Sequence, residues 1–185
     1  MLIWRGLDTW RAEYADVSVD GDRLTASGVQ MGVDPRPYRL AYDLDTVASF
    51  VTARLAVTAQ GDGWSRRLDL RRAPDGSWTL ETAAEGAEDL GDPGGDPEAL
   101  EGATDCDLGF SPLTNTMPIL RGGGGPADYV MAWVSVPDLG VHRLDQRYEP
   151  LDDGRIRYSD RDFVRDLTVG PDGFVTHYPD LAELV

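Results

Sequence analysis

The sequence predicts an all-β protein built on an antiparallel meander, with only short helices. Apolar and polar residues alternate with a period of two, as in Tyr38–Leu44 and Val51–Ala59, which is typical of strands with one buried face. Asp-Gly pairs of the kind that form hairpin turns separate such runs, at Asp20-Gly21, Asp75-Gly76, Asp153-Gly154 and Asp172-Gly173. Strands joined by tight turns pair antiparallel, so we expect about ten consecutive strands.

The remaining strands follow the same alternation, with one exception. They are predicted at Leu68–Leu70, Trp78–Leu80, Val141–Tyr148, Ile156–Tyr158 and Phe163–Val169. The exception is the segment 128–136, which is apolar on both faces and therefore has neither face in bulk water. One face is expected to meet the core. The other is expected to meet a second layer, a subunit or a bound apolar ligand.

Length and charge limit the classes of partner. The chain has 185 residues, which predicts a single domain over residues 1–185. It carries 33 acidic against 17 basic residues, all of the latter arginine, and a formal net charge of -16. Such a surface repels phosphate, so nucleic acid and anionic membranes are not expected partners. The excess of aspartate fits either a GC-rich genome or a salt-loaded cytoplasm in which ions screen the repulsion.

An acidic, glycine- and proline-rich excursion over about 82–105 interrupts the alternation. It lacks basic residues and the ligand spacing of a calcium loop, so we expect a solvated connection between two halves of the sheet and no metal site. The N-terminal segment Met1–Trp10 lacks the apolar core of a signal peptide, and no run is long enough to span a membrane. A cytoplasmic protein without integral membrane association is the expectation.

Signs of catalysis are few. The only cysteine, Cys106, can form no internal disulfide, and the neighbouring Asp105 and Asp107 are expected to raise its pKa. There is no Gly-x-Ser-x-Gly elbow and no Cys/His cluster with metal-ligand spacing. We therefore expect no enzyme and no cofactor. The many carboxylates leave a lipid- or sugar-ester hydrolase open as a less favoured alternative.

The segment Asp107–Ile119 contains the only asparagine of the chain, Asn115. Asparagine, threonine and serine side chains bond nearby backbone groups, so Asn115 could simply stabilise a buried turn. Alternatively, these side chains line the mouth of a pocket and bind a polar headgroup. The candidate residues for that role are Ser111, Thr114, Asn115 and Thr116.

A second candidate group lies on the strand Val141–Tyr148. Its charged face must be the solvent face, so Gln146 and His142 are expected to point inward with Tyr148. A buried amide is costly unless it is paired, at roughly 1–3 kcal/mol, so Gln146 needs a protein group, a water or a ligand as its partner. Arg66, beside Leu68 and Leu70, raises the same question.

Residues Asp107–Arg121, which read DLGFSPLTNTMPILR, resemble the signature of the "putative glycolipid-binding" family. Similar matches follow in order at Ala132–Val134, Pro137–Leu139, Gln146–Tyr148, Tyr158 and Leu167–Pro179, and near the start at Trp4, Arg5 and Glu13. The resemblance implies a long antiparallel sheet rolled on itself as a spiral β-roll or open barrel, comparable to lipoprotein-carrier folds. It also implies binding of a glycolipid or similar small amphiphile.

On this interpretation, alkyl chains enter between the two layers of the roll. Trp133, Met131 and Tyr148 would contact them. The headgroup would contact Asn115, Thr116, Gln146, Arg121 and Arg54. A homodimeric interaction module, with the doubly apolar strand as the subunit face, is the main alternative.

Overall fold

The computed structural model describes residues 1–185 and contains one continuous sheet of 14 strands. In chain order the strands are β1 (Leu2–Gly6), β2 (Arg11–Asp20), β3 (Arg23–Gly32), β4 (Tyr38–Thr46), β5 (Thr52–Gly61), β6 (Trp64–Arg72), β7 (Trp78–Glu85), β8 (Asp105–Leu108), β9 (Ala127–Val134), β10 (Val141–Pro150), β11 (Ile156–Asp160), β12 (Phe163–Val169), β13 (Val175–Tyr178) and β14 (Ala182–Leu184). The one α-helix, α1 (Thr116–Arg121), follows a 3-10 turn at Pro112–Asn115; two further 3-10 turns are Ala48–Phe50 and Glu98–Leu100. No helix is long and apolar enough to cross a membrane.

The sheet is a meander whose two terminal strands pair with each other. From edge to edge its order is β7-β6-β5-β4-β3-β2-β1-β14-β13-β12-β11-β10-β9-β8. All pairs are antiparallel except β8 with β9, which is parallel. The predicted all-β meander is confirmed, with more strands than expected. The additional ones, such as β1, β8, β13 and β14, have three to five residues and are too short for alternation to reveal.

The sheet curls until its β8 edge lies against the first half of the meander. The backbone N–H of Cys106 on β8 donates to the Thr52 hydroxyl on β5, over 3.0 Å. Strand β9 is therefore covered on both sides by the chain itself. Ala132 and Val134 join the main core, while Met131 joins a second buried cluster. That cluster also contains Tyr148, Tyr158, Leu167, Val175 and Tyr178. The second layer predicted for the doubly apolar strand is thus the rest of the same sheet.

Two inward-facing glycines on β3 make room for tyrosine rings on β4. Gly28 pairs with Tyr42 and Gly32 with Tyr38, and a Cβ at Gly28 would lie 2.3 Å from the Tyr42 ring. Each ring crosses the glycine of its partner strand, and each hydroxyl thereby reaches a buried polar side chain. Tyr42 donates to Glu13 over 2.7 Å. The glycines therefore allow a polar layer inside an otherwise apolar sheet.

One detail of the predicted alternation is wrong, because a β-bulge interrupts the pairing of β4 with β5. The run Val51–Ala59 predicts that Val51 and Ala53 point inward. The β4–β5 register shifts at Thr46, which pairs with Thr52, and Thr52 is the buried residue while Val51 and Ala53 are only half-buried. From Leu55 onward the alternation holds. The extra residue of a bulge reverses which side chains face the core on one side of it.

The acidic excursion is exposed at most of its carboxylates but is anchored to the sheet. Arg66 is buried and donates to the backbone carbonyls of Ser65, Glu85, Gly86, Ala87 and Gly91, which answers the question of its partner. Leu100 and Ala103 are buried in the main core, and Gly94 bridges to Gly140. The segment therefore packs as part of the fold at several points along its length.

Candidate ligand-binding site

A half-open pocket of about 630 Å³ lies between β8, with the turn that follows it, and strands β9 to β13. We call it the Asp107 pocket. Its polar lining comes from Asp107, Ser111, Asn115, Ser135 and Asp160 and, on exposed side chains or at the rim, His142, Arg143 and Arg161. Its apolar lining is largely aromatic, from Phe110, Trp133, Tyr158, Phe163 and Tyr178. Aromatic walls with a few convergent polar groups are the usual chemistry of small-molecule sites.

The floor of the Asp107 pocket is one hydrogen-bonded network. The Nδ2 of Asn115 donates to the Tyr148 hydroxyl over 2.8 Å, and that hydroxyl donates to Oε1 of Gln146 over 3.0 Å. The Nε2 of Gln146 donates to Oδ2 of Asp107 over 2.6 Å. The Thr114 hydroxyl donates to Oδ1 of the same carboxylate over 2.8 Å. Five side chains from two strands and one turn therefore hold one another in fixed orientations.

The turn Gly109–Ser111 is held from the opposite half of the sheet. The Nε2 of Gln30 donates to the Gly109 carbonyl over 3.3 Å, and the Ser111 hydroxyl donates to Oε1 of Glu13 over 2.6 Å. Phe110 adopts a positive φ of 64°, and its ring lies under the Arg11 guanidinium, 4.0 Å from carbon Cζ to the ring centre. Strands β2 and β3 thus position the turn that forms one wall of the pocket.

The aromatic walls meet at edges rather than faces. Tyr158 lies at the centre of the group: its ring centre is 6.0 Å from those of Phe163 and Tyr178 and 5.4 Å from that of Tyr148. Such tilted and edge-to-face arrangements are the favoured ones for aromatic rings. Tyr158 and Tyr178 are buried, whereas Trp133 is half-buried and Phe163 is exposed at the opening. The walls therefore run from a rigid interior to an open rim.

Two acids, Asp107 and Asp160, line the pocket together with two exposed arginines, Arg143 and Arg161. Burial raises the pKa of the Asp107 carboxyl to about 6, although its hydrogen bonds from Thr114 and Gln146 oppose the rise. Burial, assisted by the charge of Asp107, also raises the pKa of Tyr158 and Tyr178 above the usual tyrosine value. Neither Asp107 nor Asp160 forms an ion pair; Asp160 instead accepts the Tyr158 hydroxyl over 2.6 Å.

A second buried carboxyl, that of Glu13, lies behind the pocket wall. Its Oε1 accepts hydrogen bonds from Ser111 and Tyr42, while its Oε2 is buried without a partner. Burial raises the pKa of Glu13 to about 7, and the hydrogen bonds only partly offset the effect. Glu13 is therefore titratable near neutral pH and connects β2 to the turn of the pocket.

The structure brings together six of the ten residues predicted for the site. Ser111, Asn115 and Trp133 line the Asp107 pocket. Thr114, Gln146 and Tyr148 belong to the network beneath it. Gln146 points inward as predicted, whereas His142, on the same face of β10, is exposed at the pocket rim.

Four predicted residues lie elsewhere. Met131 and Thr116 are fully buried in packed surroundings, and the Thr116 hydroxyl has no partner. Arg121 forms a double hydrogen bond with Asp105, over 2.5 and 2.6 Å, and caps backbone carbonyls of the 3-10 turn Ala48–Phe50. Arg54 lies on the outer face of β5 and pairs with Asp69 over 2.7 Å. Each of these two arginines is thus already paired with an acid of the protein.

A second cavity of about 630 Å³ lies on the outer face of strands β3 to β7. Its charged lining includes Arg54 and Asp69, which bind each other through two hydrogen bonds of 3.0 and 2.7 Å. These two groups satisfy each other and are solvent-accessible, whereas the polar groups of the Asp107 pocket are held by a buried network. The Asp107 pocket is therefore the better candidate for a binding site.

Three main residues of the pocket were not predicted as site residues from the sequence. Asp107 lies at the floor, and Tyr158 and Tyr178 lie in the walls. Asp107 begins the signature segment, but from the sequence it was interpreted only as a negative charge that raises the pKa of the neighbouring Cys106. Cys106 itself is buried, and burial raises the pKa of its thiol to about 12. No group of three or more His, Cys, Asp or Glu residues is placed to hold a metal ion.

Comparison with known proteins supports the same assignment of family. A family model described as "putative glycolipid-binding" matches residues 1–183. A crystal structure of a DUF1089 family protein from Pseudomonas aeruginosa is 25% identical and superimposes with a TM-score of 0.74, covering 97% of this chain and 94% of that one. No curated protein matches. The family resemblance inferred from Asp107–Arg121 is confirmed over nearly the whole chain.

Proposed function

We propose that this chain, which belongs to the "putative glycolipid-binding" family, binds the polar headgroup of an amphiphile non-covalently in the Asp107 pocket. The observation that carries the proposal is the buried network of Asp107, Thr114, Asn115, Gln146 and Tyr148 beneath an open, aromatic-walled pocket. A network this complete holds its members in fixed rotamers, and such preorganisation lowers the entropic cost of binding a ligand.

The less exposed polar groups of the lining offer a ligand chiefly acceptors, whereas the donors Arg143 and Arg161 are exposed. Asn115 uses its amide nitrogen on Tyr148, and no protein group donates to its Oδ1 atom. Asp107 and Asp160 add carboxylate oxygens in the same lining. A headgroup with hydroxyl or N–H donors, or with positive charge, therefore matches the pocket. An anionic headgroup would meet the charges of Asp107 and Asp160, neither of which is paired with an arginine.

The apolar part of the ligand is expected to lie along the outer walls. Met131 and Tyr148 are only 1% and 3% exposed and belong to a packed cluster, so they leave no room for alkyl chains between the layers. Trp133 and Phe163 instead present apolar surface at the opening. We infer that the headgroup enters first and that the alkyl chain leaves through the rim. Burial of a few methylene groups there contributes about 0.8 kcal/mol each.

One observation favours a second candidate, a hydrolase. Two carboxyl groups, those of Asp107 and Asp160, line one pocket, and the pKa of Asp107 is raised to about 6. A raised pKa suits a general acid in glycoside or ester hydrolysis. Product formation from a chromogenic glycoside or ester that stops in Asp107→Asn would favour this candidate. Binding without turnover would favour the carrier.

The homodimer alternative loses its original basis, because both faces of β9 are covered by buried clusters of the same chain. A dimer through another surface is a separate proposal, which concentration-dependent mass would test.

Fluorescence titration with octyl glucoside below its critical micelle concentration tests the binding proposal. Trp133 lines the pocket and serves as the reporter in a Trp10→Phe background, which removes the exposed Trp10. We expect saturable binding, and Asn115→Ala should weaken it about tenfold or more. Thr58→Ala, in the outer cavity, is the matched control. Absence of saturation with octyl glucoside and with every other amphiphile tried, or equal weakening by the control, would refute the proposal.

A further inference from the structure

Two carboxyl groups in the Asp107 pocket lack the positive partner that the neighbouring buried acid Asp105 possesses. Asp105, on the same strand as Asp107, is fully buried and is neutralised by Arg121. Asp107 and Asp160 have no such arginine, and both line the pocket. A charge held in a partly buried site is stable only when it is compensated, and hydrogen bonds compensate Asp107 only in part. The pocket therefore favours a cation from outside.

The basic groups around the pocket do not fill this role. The guanidinium of Arg143 donates to the Glu101 carbonyl and to Asp145, away from the carboxylates. Arg161 is exposed in the turn between β11 and β12 and pairs with no acid. It stands at the rim, where it could meet a negative group that is attached to the ligand.

The walls supply the other half of a cation site. Trp133, Tyr158, Phe163 and Tyr178 line the same pocket as the two carboxylates, and Phe163 already holds a cation on its ring, with Cζ of Arg165 4.4 Å from the ring centre. Aromatic faces attract cations through the ring quadrupole, and they do so most effectively when the cation is easily desolvated. The carboxylates attract a cation over a long range, and the aromatic rings provide an apolar surface against which methyl groups on that cation can pack.

We propose that the Asp107 pocket recognises a quaternary ammonium group on its amphiphilic ligand; this rests on the proposed function. A quaternary rather than a primary ammonium fits, because both oxygens of Asp107 already accept short hydrogen bonds, of 2.8 and 2.6 Å. The carboxylate therefore attracts mainly through its charge and has little need of a further N–H donor. In a zwitterionic headgroup, the phosphate would lie towards Arg161.

The test compares choline with 3,3-dimethylbutanol, which has the same shape but carbon in place of nitrogen and no charge. Both are titrated into the Trp10→Phe protein, with Trp133 fluorescence and calorimetry as readouts. We expect choline to bind at least tenfold more tightly than the neutral compound. Dodecylphosphocholine, below its critical micelle concentration, should bind more tightly than choline if the natural ligand is a lipid. Choline binding without such a gain would instead indicate a small soluble ligand.

Variants separate a charge effect from damage to the fold. Asp107→Asn should abolish the preference for choline over the neutral compound. Asp152→Asn makes the same chemical change on an exposed residue that forms no ion pair and lies outside the pocket lining, and it should leave the preference intact. If Asp107→Asn fails to fold, Asp160→Asn and Phe163→Leu provide the test, since each should reduce the preference severalfold.

The outcomes distinguish this inference from the function on which it rests. Octyl glucoside binding, with equal affinity for choline and 3,3-dimethylbutanol, would overturn the ammonium proposal and leave amphiphile binding standing. Absence of binding by octyl glucoside, dodecylphosphocholine and choline alike would overturn both. A choline preference that persists in both Asp107→Asn and Asp160→Asn would place the cation outside the Asp107 pocket and would also overturn the inference.

Discussion

The side-chain nitrogen of Asn115 donates a hydrogen bond to the hydroxyl of Tyr148 over 2.8 Å, across 33 positions of sequence. This contact joins the short turn before α1 to strand β10. It also explains why an asparagine occurs here in a chain that contains no other: its amide can bind the tyrosine with one end and face the pocket with the other.

Tyr148→Phe should destabilise the protein by about 1–3 kcal/mol. The change removes one hydroxyl and leaves the Asn115 nitrogen and the Gln146 oxygen without their partner, at almost unchanged volume. Urea unfolding measures the difference. Tyr129→Phe is the matched control, because its hydroxyl makes a single bond of 3.2 Å to the Pro118 carbonyl and lies outside the network. Equal losses in the two variants would contradict the idea of a cooperative network.

Gly28→Ala should be among the most destabilising single-methyl substitutions in this chain. The new Cβ would lie 2.3 Å from the Tyr42 ring, so the ring must leave Glu13 or the strands must separate. We expect a loss of about 3 kcal/mol or more, measured by chemical denaturation. Gly125→Ala, which meets nothing within 4 Å, is the control and should change stability little. In a Tyr42→Ala background the penalty of Gly28→Ala should largely vanish, because the two changes are coupled.

Much of the fold could be predicted because inward and outward positions alternate over long strands. The long central strands, such as β4 and β6, each show four or more alternations, whereas β13 and β14 offer one or two. The curl of the sheet came from the family resemblance rather than from alternation. Alternation identifies the buried face of a strand, but it does not identify the distant strand that covers that face.

The site could be predicted where a residue was unusual in its local setting. Asn115 was unique, and Gln146 shared the apolar face of a strand with charged residues opposite. Asp107 was missed because β8 is enclosed on both sides, so its acids do not mark a solvent face. Arg54 was proposed along with the family resemblance, although it lies on the polar face of its strand. The sequence does not show that Asp69, 15 positions away, binds it there. Which distant residues become partners depends on the register of neighbouring strands, and alternation within one strand does not show that register.

Glu13→Gln should change the pH dependence of stability. The folded pKa of Glu13 is about 7, against 4.5 for the ordinary group, so the folded state binds this proton more tightly than the unfolded state. The contribution of Glu13 to stability is therefore full below about pH 4.5 and is lost as pH rises through 7. Glutamine keeps a neutral group at every pH. The free energy of unfolding of Glu13→Gln, relative to that of the parent, should therefore rise by up to about 3 kcal/mol as pH increases from 4.5 through 7.

Denaturant titrations at pH 5 and pH 8 measure this change. Glu98→Gln, on an exposed acid, is the control and should show no such window. A constant difference between Glu13→Gln and the parent at the two pH values would mean that Glu13 ionises normally in the folded protein.

Melting temperature should rise with salt. The net charge of -16 makes the acidic surface repel itself, and salt at 1 M shortens the screening length to about 3 Å. Exposed pairs such as Arg157–Asp166 weaken at the same time, but each contributes only about 0–1 kcal/mol. We expect a rise of roughly 5 °C or more between 0.1 and 2 M NaCl in thermal scans.

A triple variant tests the cause of this salt response. Glu88, Glu98 and Glu101 lie in the acidic excursion, are exposed and form no ion pair, so their change to glutamine lowers the charge without breaking contacts. The slope of melting temperature against salt should decrease. A flat response in the parent protein would show that the acidic composition has no role in salt adaptation.

Choline binding should weaken as pH falls through the pKa of Asp107. That pKa is about 6, and a bound cation must lower it, since cation and proton compete for one charge. Affinity should be constant above about pH 7 and fall about tenfold by pH 5, as calorimetry at fixed ionic strength would measure. The titratable and charged groups that face Asp107 are Asp105, His142, Arg143, Tyr148, Tyr158, Asp160, Arg161 and Tyr178.

Two variants assign this pH dependence to a residue. His142→Gln removes the exposed rim histidine and should leave the profile unchanged, because the profile follows the carboxylate. Asp107→Asn should give weak binding that no longer depends on pH over this range. If the decline followed His142 instead, protonation of the rim would repel the cation, and the charge of Asp107 would not be what attracts it.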